Sequence, residues 1–344
     1  MPYCTGTRRK LAITVIFIVA FLLINHYETS VLTRKTALHN AVGTNETAWE
    51  RNGGRDRAVD NVGGKNSQSS NTKSNRPRIV ITGPIRNGAK ELGHLNTTFT
   101  NLRQHFEIVR IIFFENDSTD DTLETLERLK ASGPPIHVES EVNLTGSRTV
   151  ILSHARNRLW ELVGNMREPI DFVLSMDMDN VNRNLAHVQE CLSLPSDWSV
   201  CCANTYAIYY DLWALRTLDD WVDLDVLKIS LQRRRAKFRH IPASEPPIRV
   251  KSCFNGAALY KYPRLKPFNL TTYAGVDERG ERICEHVVFH EKLLQQDSTL
   301  NLYIQPKMLN SGKPRGPKVW QRLRPEIDAT LKNPDLKEWY KTNV

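Results

Sequence analysis

The stretch Asp171-Phe-Val-Leu-Ser-Met-Asp-Met-Asp-Asn180 determines how the rest of the sequence is interpreted. Its apolar run, Phe172 to Leu174, is typical of a strand that is buried on both faces. The run leads to two carboxylates, Asp177 and Asp179, which are two positions apart and therefore point the same way on an extended chain. One carboxylate can hold a divalent cation while the other reaches the cation or a ribose hydroxyl. The alternative is a solvated turn, since Asp and Asn favour turns for their own reasons.

Strand and helix patterns alternate along the chain before this stretch. Apolar runs predict strands at Ile79–Thr82, Val109–Phe114 and Ile136–Val138. Helical spacing of apolar residues predicts helices at Ala89–His105, Thr122–Lys130 and Ser153–Val163. This order predicts an α/β fold with a mostly parallel, Rossmann-like sheet flanked by helices. Ligands of such sheets bind beyond the carboxyl ends of the strands, where Asp177 and Asp179 are expected.

The pattern becomes mixed after Asn180. We predict helices at residues 185–192 and 223–237, and a further helix that begins near Cys284. Strands are predicted at residues 198–203, 250–260 and 300–305.

A second acidic cluster, Glu115-Asn-Asp-Ser-Thr-Asp-Asp-Thr122, follows the strand predicted to end at Phe114. Capping of the next helix is one interpretation, because hydroxyl and carboxylate side chains are good helix caps. Capping alone does not require one Glu and three Asp residues. A carboxylate at a strand end can also accept hydrogen bonds from a nucleobase or a ribose.

Together these motifs resemble the nucleotide-sugar glycosyltransferases of the GT-A fold. The resemblance rests on the acidic cluster, on Ala155-Arg-Asn-Arg158 in a predicted helix, and on Asp177-Met-Asp179 after a strand. It covers about residues 78 to 180 and extends more loosely to about residue 310. The stretches His154–Arg158 and Tyr210-Asp-Leu-Trp-Ala-Leu-Arg216 are most similar to the fungal capsule-associated and Golgi α-mannosyltransferases. The resemblance implies transfer of a hexose, with mannose from GDP-mannose as the first guess, to a glycan or glycoprotein acceptor.

The resemblance also implies roles for individual residues. The residues implied in binding the GDP- or UDP-linked sugar are Arg86, Glu115, Asp117, Arg156, Asp177, Asn255 and Gly256. Asp177 and Asp179 would hold Mn²⁺ or Mg²⁺ against the diphosphate, which makes Asp179 a catalytic residue as well. Glu285 is the candidate general base in a direct displacement. His286 and His290 lie four residues apart on one predicted helix, and they either include a further metal ligand or are incidental.

Two other functions compete with glycosyl transfer. A nucleotidyltransferase that makes sugar nucleotides is disfavoured, since the loop Gly83–Gly88 is not a glycine-rich, lysine-containing phosphate loop. A non-catalytic luminal protein that binds sugars or acts as a scaffold is the other alternative. The acidic pair, Glu115 and Glu285 argue against it, and only a measured activity excludes it.

The amino terminus predicts a membrane protein. Leu11–Ile24 is an unbroken apolar run that follows three basic residues, and no small-x-small cleavage site follows it. We therefore expect a single-pass type II protein of the Golgi or endoplasmic reticulum membrane with its catalytic domain in the lumen. The predicted segments are a cytosolic tail (1–10), a signal anchor (11–27), a flexible luminal stalk (28–77), a GT-A domain (78–320) and a carboxyl-terminal tail (321–344).

Composition agrees with a luminal enzyme for anionic substrates. The net charge of +9 suits nucleotide diphosphates or membrane surfaces, and no nucleic-acid-binding motif is present. Five Asn-x-Ser/Thr sites are consistent with a glycoprotein. Five of the six cysteines are expected in the lumen, so at least one lacks an intramolecular partner. Cys253 and Cys284 are a plausible disulfide pair, although a buried free cysteine is nearly as plausible.

Overall fold

The computed structural model describes residues 76–132, 135–206 and 208–311, which contain one nine-stranded sheet with helices on both faces. No helix in these ranges is long and apolar enough to span a bilayer. The predicted cytosolic tail, signal anchor and carboxyl-terminal tail, and nearly all of the stalk, lie outside the described residues. The sequence-based predictions for those segments stay predictions.

The strands are β1 Arg78–Ile85, β2 Glu107–Asn116, β3 Ile136–Glu141, β4 Phe172–Met176, β5 Trp198–Thr205, β6 Arg216–Thr217, β7 Ile248–Ser252, β8 Ala257–Lys261 and β9 Asn301–Asn310. The α-helices are α1 Ala89–His105, α2 Thr122–Ser132, α3 Arg148–Gly164, α4 Leu231–Arg235, α5 Tyr262–Leu265 and α6 Glu285–Gln296. Short 3₁₀ turns are found at Asn180–Asn182, Val188–Ser193 and Val226–Lys228.

The first half of the sheet is parallel, as the alternation of strands and helices predicts. Its strands lie in the order β3-β2-β1-β4, and each pair of neighbours is parallel. Helices α1, α2 and α3 connect these strands in chain order. The carboxyl ends of β1, β2 and β4 therefore meet at one edge of the sheet, which brings the acidic residues that follow β2 and β4 to the same side.

The second half of the sheet is mixed, so the prediction of a mostly parallel sheet holds only for the first half. β8 runs antiparallel to both β4 and β5, and β7 runs antiparallel to β9 and β6. β5 and β9 are parallel. The sheet thus changes direction next to β4, directly beside the strand that carries the Asp-Met-Asp sequence.

Successive residues of the central strands fill opposite faces of the sheet. Val80 and Val173 belong to a core layer that includes residues of α3 and α6, whereas Ile81 and Leu174 belong to a layer that includes residues of α1 and α2. All four of these side chains are at most 1% exposed. Burial on both faces explains why these strands are continuous apolar runs rather than alternating ones.

Three predicted elements after Asn180 differ in the structure. Residues 185–192 contain a 3₁₀ turn rather than an α-helix, and the predicted helix at 223–237 consists of a 3₁₀ turn followed by the five-residue α4. Asp225 and Ser230 each accept a backbone hydrogen bond at the start of one of these pieces, so the segment contains two separate caps. The predicted strand 250–260 is two strands, because Asn255 (φ 54°) and Gly256 (φ 87°) form a left-handed turn between them.

The cysteine pairing differs from the pair considered above. Disulfides join Cys191 to Cys201 and Cys202 to Cys253, and Cys284 is a buried free thiol. The adjacent residues Cys201 and Cys202 point to opposite faces of β5 and therefore pair in opposite directions. One luminal cysteine without a disulfide was expected from the odd count, and among the described residues it is Cys284.

Candidate active site

A cavity of about 800 Å³ lies at the carboxyl ends of β1 and β4. Its wall includes residues that follow these two strands, the first turns of α3 and the start of α6. Six of the residues selected from the sequence line it: Arg86, Arg156, Asp177, Asp179, Glu285 and His286. The other five selected residues are outside its lining: Glu115, Asp117, Asn255, Gly256 and His290.

Asp177 is fixed by its backbone and by a buried arginine. It directly follows β4, and its backbone N–H donates to the carbonyl oxygen of Gly256 over 2.8 Å. Its side chain is 32% exposed and accepts a hydrogen bond from Nη2 of Arg156 at 2.9 Å. One oxygen of the carboxylate is thus engaged with Arg156, in a side chain that also faces the cavity.

Arg156 joins two carboxylates of the cavity wall. Its side chain is 3% exposed, and its Nε lies 3.3 Å from Oε1 of Glu285. Nη1 donates to the Ser175 hydroxyl at 3.4 Å, and the guanidinium carbon lies 4.7 Å from the centre of the Phe254 ring. Burial alone would lower the pKa of Arg156, but Asp177 and Glu285 outweigh it and raise the pKa above its ordinary value. Arg156 is therefore a permanent cation between two acids.

Asp179 lines the cavity and also begins the next turn. Its Oδ1 accepts the backbone N–H of Val181 at 3.0 Å, which caps the 3₁₀ turn Asn180–Asn182. The Asn182 amide donates to the carbonyl oxygens of Asp177 at 2.8 Å and Gly256 at 2.6 Å. These bonds hold the backbone of the Asp177-Met-Asp179 segment against the turn that precedes β8.

The cavity carboxylates fit a hard divalent cation only in part. Within the described ranges, no group of three or more His, Cys, Asp or Glu residues is arranged to hold a metal ion. Mg²⁺ is commonly bound by one or two carboxylates together with substrate phosphates rather than by a complete protein cage. Asp177 and Asp179 supply two carboxylates at one edge of the cavity, which is the number that such a site requires.

His286 is the histidine that faces the cavity. It is 2% exposed, its ring stacks on Phe254 with 3.6 Å between the centroids, and neither ring nitrogen has a hydrogen-bond partner in the described residues. Burial and the nearby Arg156 cation hold the pKa of His286 well below 6.5, so the ring is neutral. A neutral imidazole with an unsatisfied nitrogen is the form that binds metals.

His290 is placed differently from His286. Its Nδ1 lies 3.1 Å from the Ser252 hydroxyl, and its Nε2 lies 3.1 Å from the Tyr260 hydroxyl. Both ring nitrogens are therefore engaged inside the protein core. Of the two histidines considered as metal ligands, only His286 has ring nitrogens without a hydrogen-bond partner among the described residues, and both of these nitrogens are buried.

The carboxylates at the end of β2 and just after it accept hydrogen bonds from β3 and from nearby loops. Glu115 is 1% exposed and accepts from the Ser118 backbone N–H at 2.8 Å and from the Ser140 hydroxyl at 2.6 Å. Asp117 accepts from the backbone N–H groups of Asn143 at 2.6 Å and Leu144 at 3.2 Å. Contacts of Glu115 and Asp117 with a nucleotide stay predictions, and the structure shows these side chains in a loop-building role.

Gly256 and Asn255 lie outside the cavity lining and pack against residues that line it. The left-handed backbone favours glycine at position 256, and a Cβ there would lie 2.5 Å from Cγ1 of Val181 and 2.8 Å from the Tyr210 hydroxyl. Any larger residue would therefore displace the turn that carries Asp179. Asn255 is fully buried, and its carbonyl oxygen accepts from the Asn310 amide at 2.6 Å. Their position is structural support for the acidic segment.

Asp211 also lines the cavity, and no sequence motif predicted a role for it. Burial, followed by the charge of Asp177, raises its pKa to about 6, although backbone hydrogen bonds oppose this rise. Its neighbours Tyr210 and Trp213 also line the cavity, as does Phe254. The stretch Tyr210–Arg216 is noted in the sequence only for its resemblance to mannosyltransferases. The signal for a ligand-binding role of Asp211 is that its carboxylate stands between aromatic residues in the sequence.

A family model described as Cryptococcal mannosyltransferase 1 matches residues 78–291. The chain belongs to this family. The match covers β1 to α6, which includes all the cavity residues described above. The expected assignment to the glycosyltransferases is thereby confirmed. No curated protein matches the chain.

Solved structures of glycosyltransferases are similar to this member of the mannosyltransferase family at low identity. Mannosyltransferase PcManGT from Pyrobaculum calidifontis, solved with GDP-Man and Mn²⁺, is 13% identical, with 77% of this chain and 65% of that chain covered and a TM-score of 0.40. Glucosyl-3-phosphoglycerate synthase from Mycobacterium tuberculosis, solved with Mn²⁺, UDP and phosphoglyceric acid, is 15% identical, with 75% and 78% covered and a TM-score of 0.41. TarS from S. aureus with UDP is 13% identical, with 74% and 66% covered and a TM-score of 0.41. The chain thus spans somewhat less than two thirds of the length of PcManGT.

Proposed function

We propose that the chain transfers mannose from GDP-mannose to a glycan or glycoprotein acceptor in the secretory pathway, with Mn²⁺ or Mg²⁺ as its metal. The observation that supports this most strongly is the grouping of Asp177, Asp179, Arg156 and Glu285 around one cavity in a member of a mannosyltransferase family. The donor is inferred from the family description and from the motif resemblance. The type II topology proposed for residues 1–27 would place the cavity in the lumen of the Golgi or endoplasmic reticulum.

Asp177 and Asp179 are the residues that would hold the metal. A bound divalent cation neutralises the diphosphate leaving group as the glycosidic bond breaks. Arg156 fixes the Asp177 side chain through the 2.9 Å hydrogen bond. Asp177 therefore reaches its working position without reorganising, which is the arrangement that favours electrostatic catalysis. Arg86, at the cavity wall after β1, is proposed to bind near the donor phosphates.

Glu285 is proposed to take the proton of the acceptor hydroxyl in a direct displacement. It begins α6 and is 5% exposed, and one oxygen is held by Arg156, so its carboxylate is fixed at the cavity wall. If the transfer retains the anomeric configuration, Glu285 has a positioning role instead. The product anomer, determined by NMR, distinguishes these two roles.

The proposed function is tested with full-length protein in detergent, a panel of GDP- and UDP-sugars, and acceptor mannosides. We expect GDP-mannose to turn over only when Mn²⁺ or Mg²⁺ is present, and an Asp179→Asn variant to be inactive with an unchanged unfolding transition. Turnover of another donor would reassign the sugar. A folded protein that binds glycans but neither binds nor turns over any donor would be the non-catalytic sugar-binding protein instead.

A further inference from the structure

Asp211 is a cavity carboxylate that the proposed reaction does not use. It lines the same cavity as Asp177, Asp179 and Glu285, and the charges of Asp177 and Glu285 act on it. A buried or partly buried carboxylate is costly unless it is hydrogen-bonded. The carboxylate of Asp211 in the cavity wall must therefore accept hydrogen bonds, either from the protein or from a ligand.

Backbone hydrogen bonds hold Asp211 in one orientation. Oδ2 accepts the backbone N–H of Asn255 at 3.2 Å, and Oδ1 accepts the backbone N–H of Ala214 at 3.3 Å. The backbone N–H of Asp211 donates in return to Oδ1 of Asn255 at 3.3 Å. A carboxylate has about four acceptor positions, so two are occupied and two are left for a ligand in the cavity.

The hydrogen-bond partners of Asp211 distinguish it from Asp177 and Glu285, whereas Asp179, like Asp211, accepts a backbone N–H, that of Val181. Asp177 and Glu285 are both paired with the guanidinium of Arg156. In the part of the chain that the structure describes, the Asp211 carboxylate accepts hydrogen bonds from backbone N–H groups only. Neutral donors such as sugar hydroxyls suit a fixed carboxylate of this kind, because each can satisfy one of its remaining acceptor positions.

Trp213 provides an aromatic ring close to Asp211 in the chain, and the guanidinium carbon of Arg282 lies over this ring, 5.2 Å from its centre. It lines the cavity, and its indole N–H donates to Oδ2 of Asp225 at 3.3 Å, which fixes the ring from outside the cavity lining. Ligand sites combine an apolar or aromatic surface with a few fixed polar groups. A carboxylate for hydroxyl groups and an indole for the C–H face of a ring together match the chemistry of a hexose.

We propose that Asp211 and Trp213 form the hexose subsite of the cavity, and that the Asp211 carboxylate accepts hydrogen bonds from hydroxyl groups of the donor sugar. This inference rests on the proposed function. The donor is favoured over the acceptor because Asp211 is joined through Asn255 to Gly256, whose carbonyl holds the backbone of Asp177. Asp211 thus belongs to the side of the cavity where the donor diphosphate is proposed to bind, and the hexose is attached to that diphosphate.

The test uses full-length protein in detergent with Mn²⁺ and compares Asp211→Asn with the wild type. We expect the KM for GDP-mannose to rise about 10- to 100-fold, because a hydrogen bond to a charged group is lost. The Kd for GDP, which has no sugar, should stay within about threefold of the wild-type value, and this also shows that the cavity is intact. Asp219→Asn is the control, because Asp219 is exposed and accepts a backbone hydrogen bond from Trp221 in the same segment.

A second measurement tests the inference from the substrate side, and its wild-type arm can overturn the inference even if Asp211→Asn does not fold. GDP-mannose analogues that lack one hydroxyl at a time are assayed with the wild type, and at least one should lose about 10-fold or more in kcat/KM. In a folded Asp211→Asn variant, the same analogue should lose less than about threefold, since the two changes remove one interaction.

Three outcomes would overturn the inference. The first is a normal donor KM in a folded Asp211→Asn variant of an active enzyme. The second is wild-type activity that is indifferent to every deoxygenation. The third is a rise in the acceptor KM alone, which would move Asp211 to the acceptor side. Failure of the wild type to bind or turn over GDP-mannose is different, because it removes the proposed function first and this inference with it.

Discussion

The ends of strands β2 and β4 carry similar acidic sequences but place them in different surroundings. At the end of β2, Glu115 and Asp117 accept hydrogen bonds from neighbouring loops and lie outside the lining of the cavity. After β4, Asp177 and Asp179 line the cavity, and Asp177 pairs with a buried arginine. Position at a strand end therefore does not decide the role of an acid. The supply of backbone N–H donors around it is what differs.

The loop after β2 has many backbone N–H donors around it, because the segments that follow β1 and β3 both contact it. Asp117 receives two N–H groups from the segment that follows β3, and Asp120 receives those of Thr122 and Ala89. Although burial opposes it, these hydrogen bonds lower the pKa values of Asp117 and Asp120. Both carboxylates thus stabilise the loops in their ionised form and need no external ligand.

The largest expected effect is a difference in activity between variants at the two strand ends. Asp177→Asn should reduce kcat/KM for the donor by at least about 1,000-fold, because it removes a proposed metal ligand, and a bound metal is worth several kcal/mol of transition-state stabilisation. Asp120→Asn, the matched change after β2, should leave kcat/KM within about threefold. Steady-state donor kinetics on both purified variants measure the difference. Equal losses in the two variants would show that both strand ends serve the reaction.

The next effect concerns the stability of the cavity side. Arg156→Gln leaves the buried Glu285 and the partly buried Asp177 without their cation, and we expect a loss of about 3 to 5 kcal/mol in the free energy of unfolding. Arg158→Gln is the control on the same helix. Its side chain is 35% exposed and pairs with Glu139 and Glu161, so its loss should cost less than about 1 kcal/mol. Urea unfolding followed by circular dichroism compares them, and similar midpoints would contradict a buried ionic core.

The sequence predicts a helix or strand correctly where the apolar residues of that element are buried in the core. Helix α1 has the predicted bounds, Ala89–His105, and β1, β2 and β4 were found because both of their faces are buried. Segment 223–237 was predicted as one helix because its apolar spacing is helical, but Leu224, Leu227 and Leu231 are exposed in the structure. Val226 alone is a buried apolar residue of this segment, which is too little to stabilise a long helix, and the two local caps divide the segment.

The sequence predicts a grouping of site residues only when those residues are close together in the chain. Asp177 and Asp179 are close in the chain and stand at a strand end, so their grouping could be predicted. The role suggested for Asp211 depends on a contact with Asn255, 44 positions away, and on a left-handed turn that interrupts a strand pattern. Apolar periodicity gives no information about either feature. The hydrogen bonds of His290 could not be predicted for the same reason, since their partners Ser252 and Tyr260 lie on separate strands.

His290 in the core and the acids after β2 should also lose their stabilising contributions at different pH values. Burial lowers the pKa of His290 to about 3, whereas the unfolded chain binds that proton near pH 6.5. The stability from neutral His290 is therefore complete above about pH 6.5 and falls by about 1.4 kcal/mol per pH unit below it. The acids after β2 have lowered pKa values, so their contribution is lost only as the pH falls through and below about 4.

Unfolding free energies measured between pH 7 and pH 5 test this difference. The wild type should lose about 2 kcal/mol over this range from His290, and a His290→Gln variant should lose correspondingly less. His94→Gln, at an exposed position of α1, serves as the control and should keep the wild-type slope. An identical slope in all three proteins would show that His290 is not buried as a neutral ring.

The smallest expected effect is the stability contributed by Asp117. Asp117→Asn keeps the side-chain shape but removes the charge that accepts two backbone N–H groups, and we expect a loss of about 1 kcal/mol in the free energy of unfolding. Donor kcat/KM should change by less than about threefold, since the carboxylate lies outside the cavity lining. A variant of normal stability whose nucleotide affinity falls 10-fold or more would reverse this assignment. Asp117 would then be a nucleotide ligand, as its resemblance to glycosyltransferase motifs implies, and the hydrogen bonds from Asn143 and Leu144 would be exchanged for the ligand on binding.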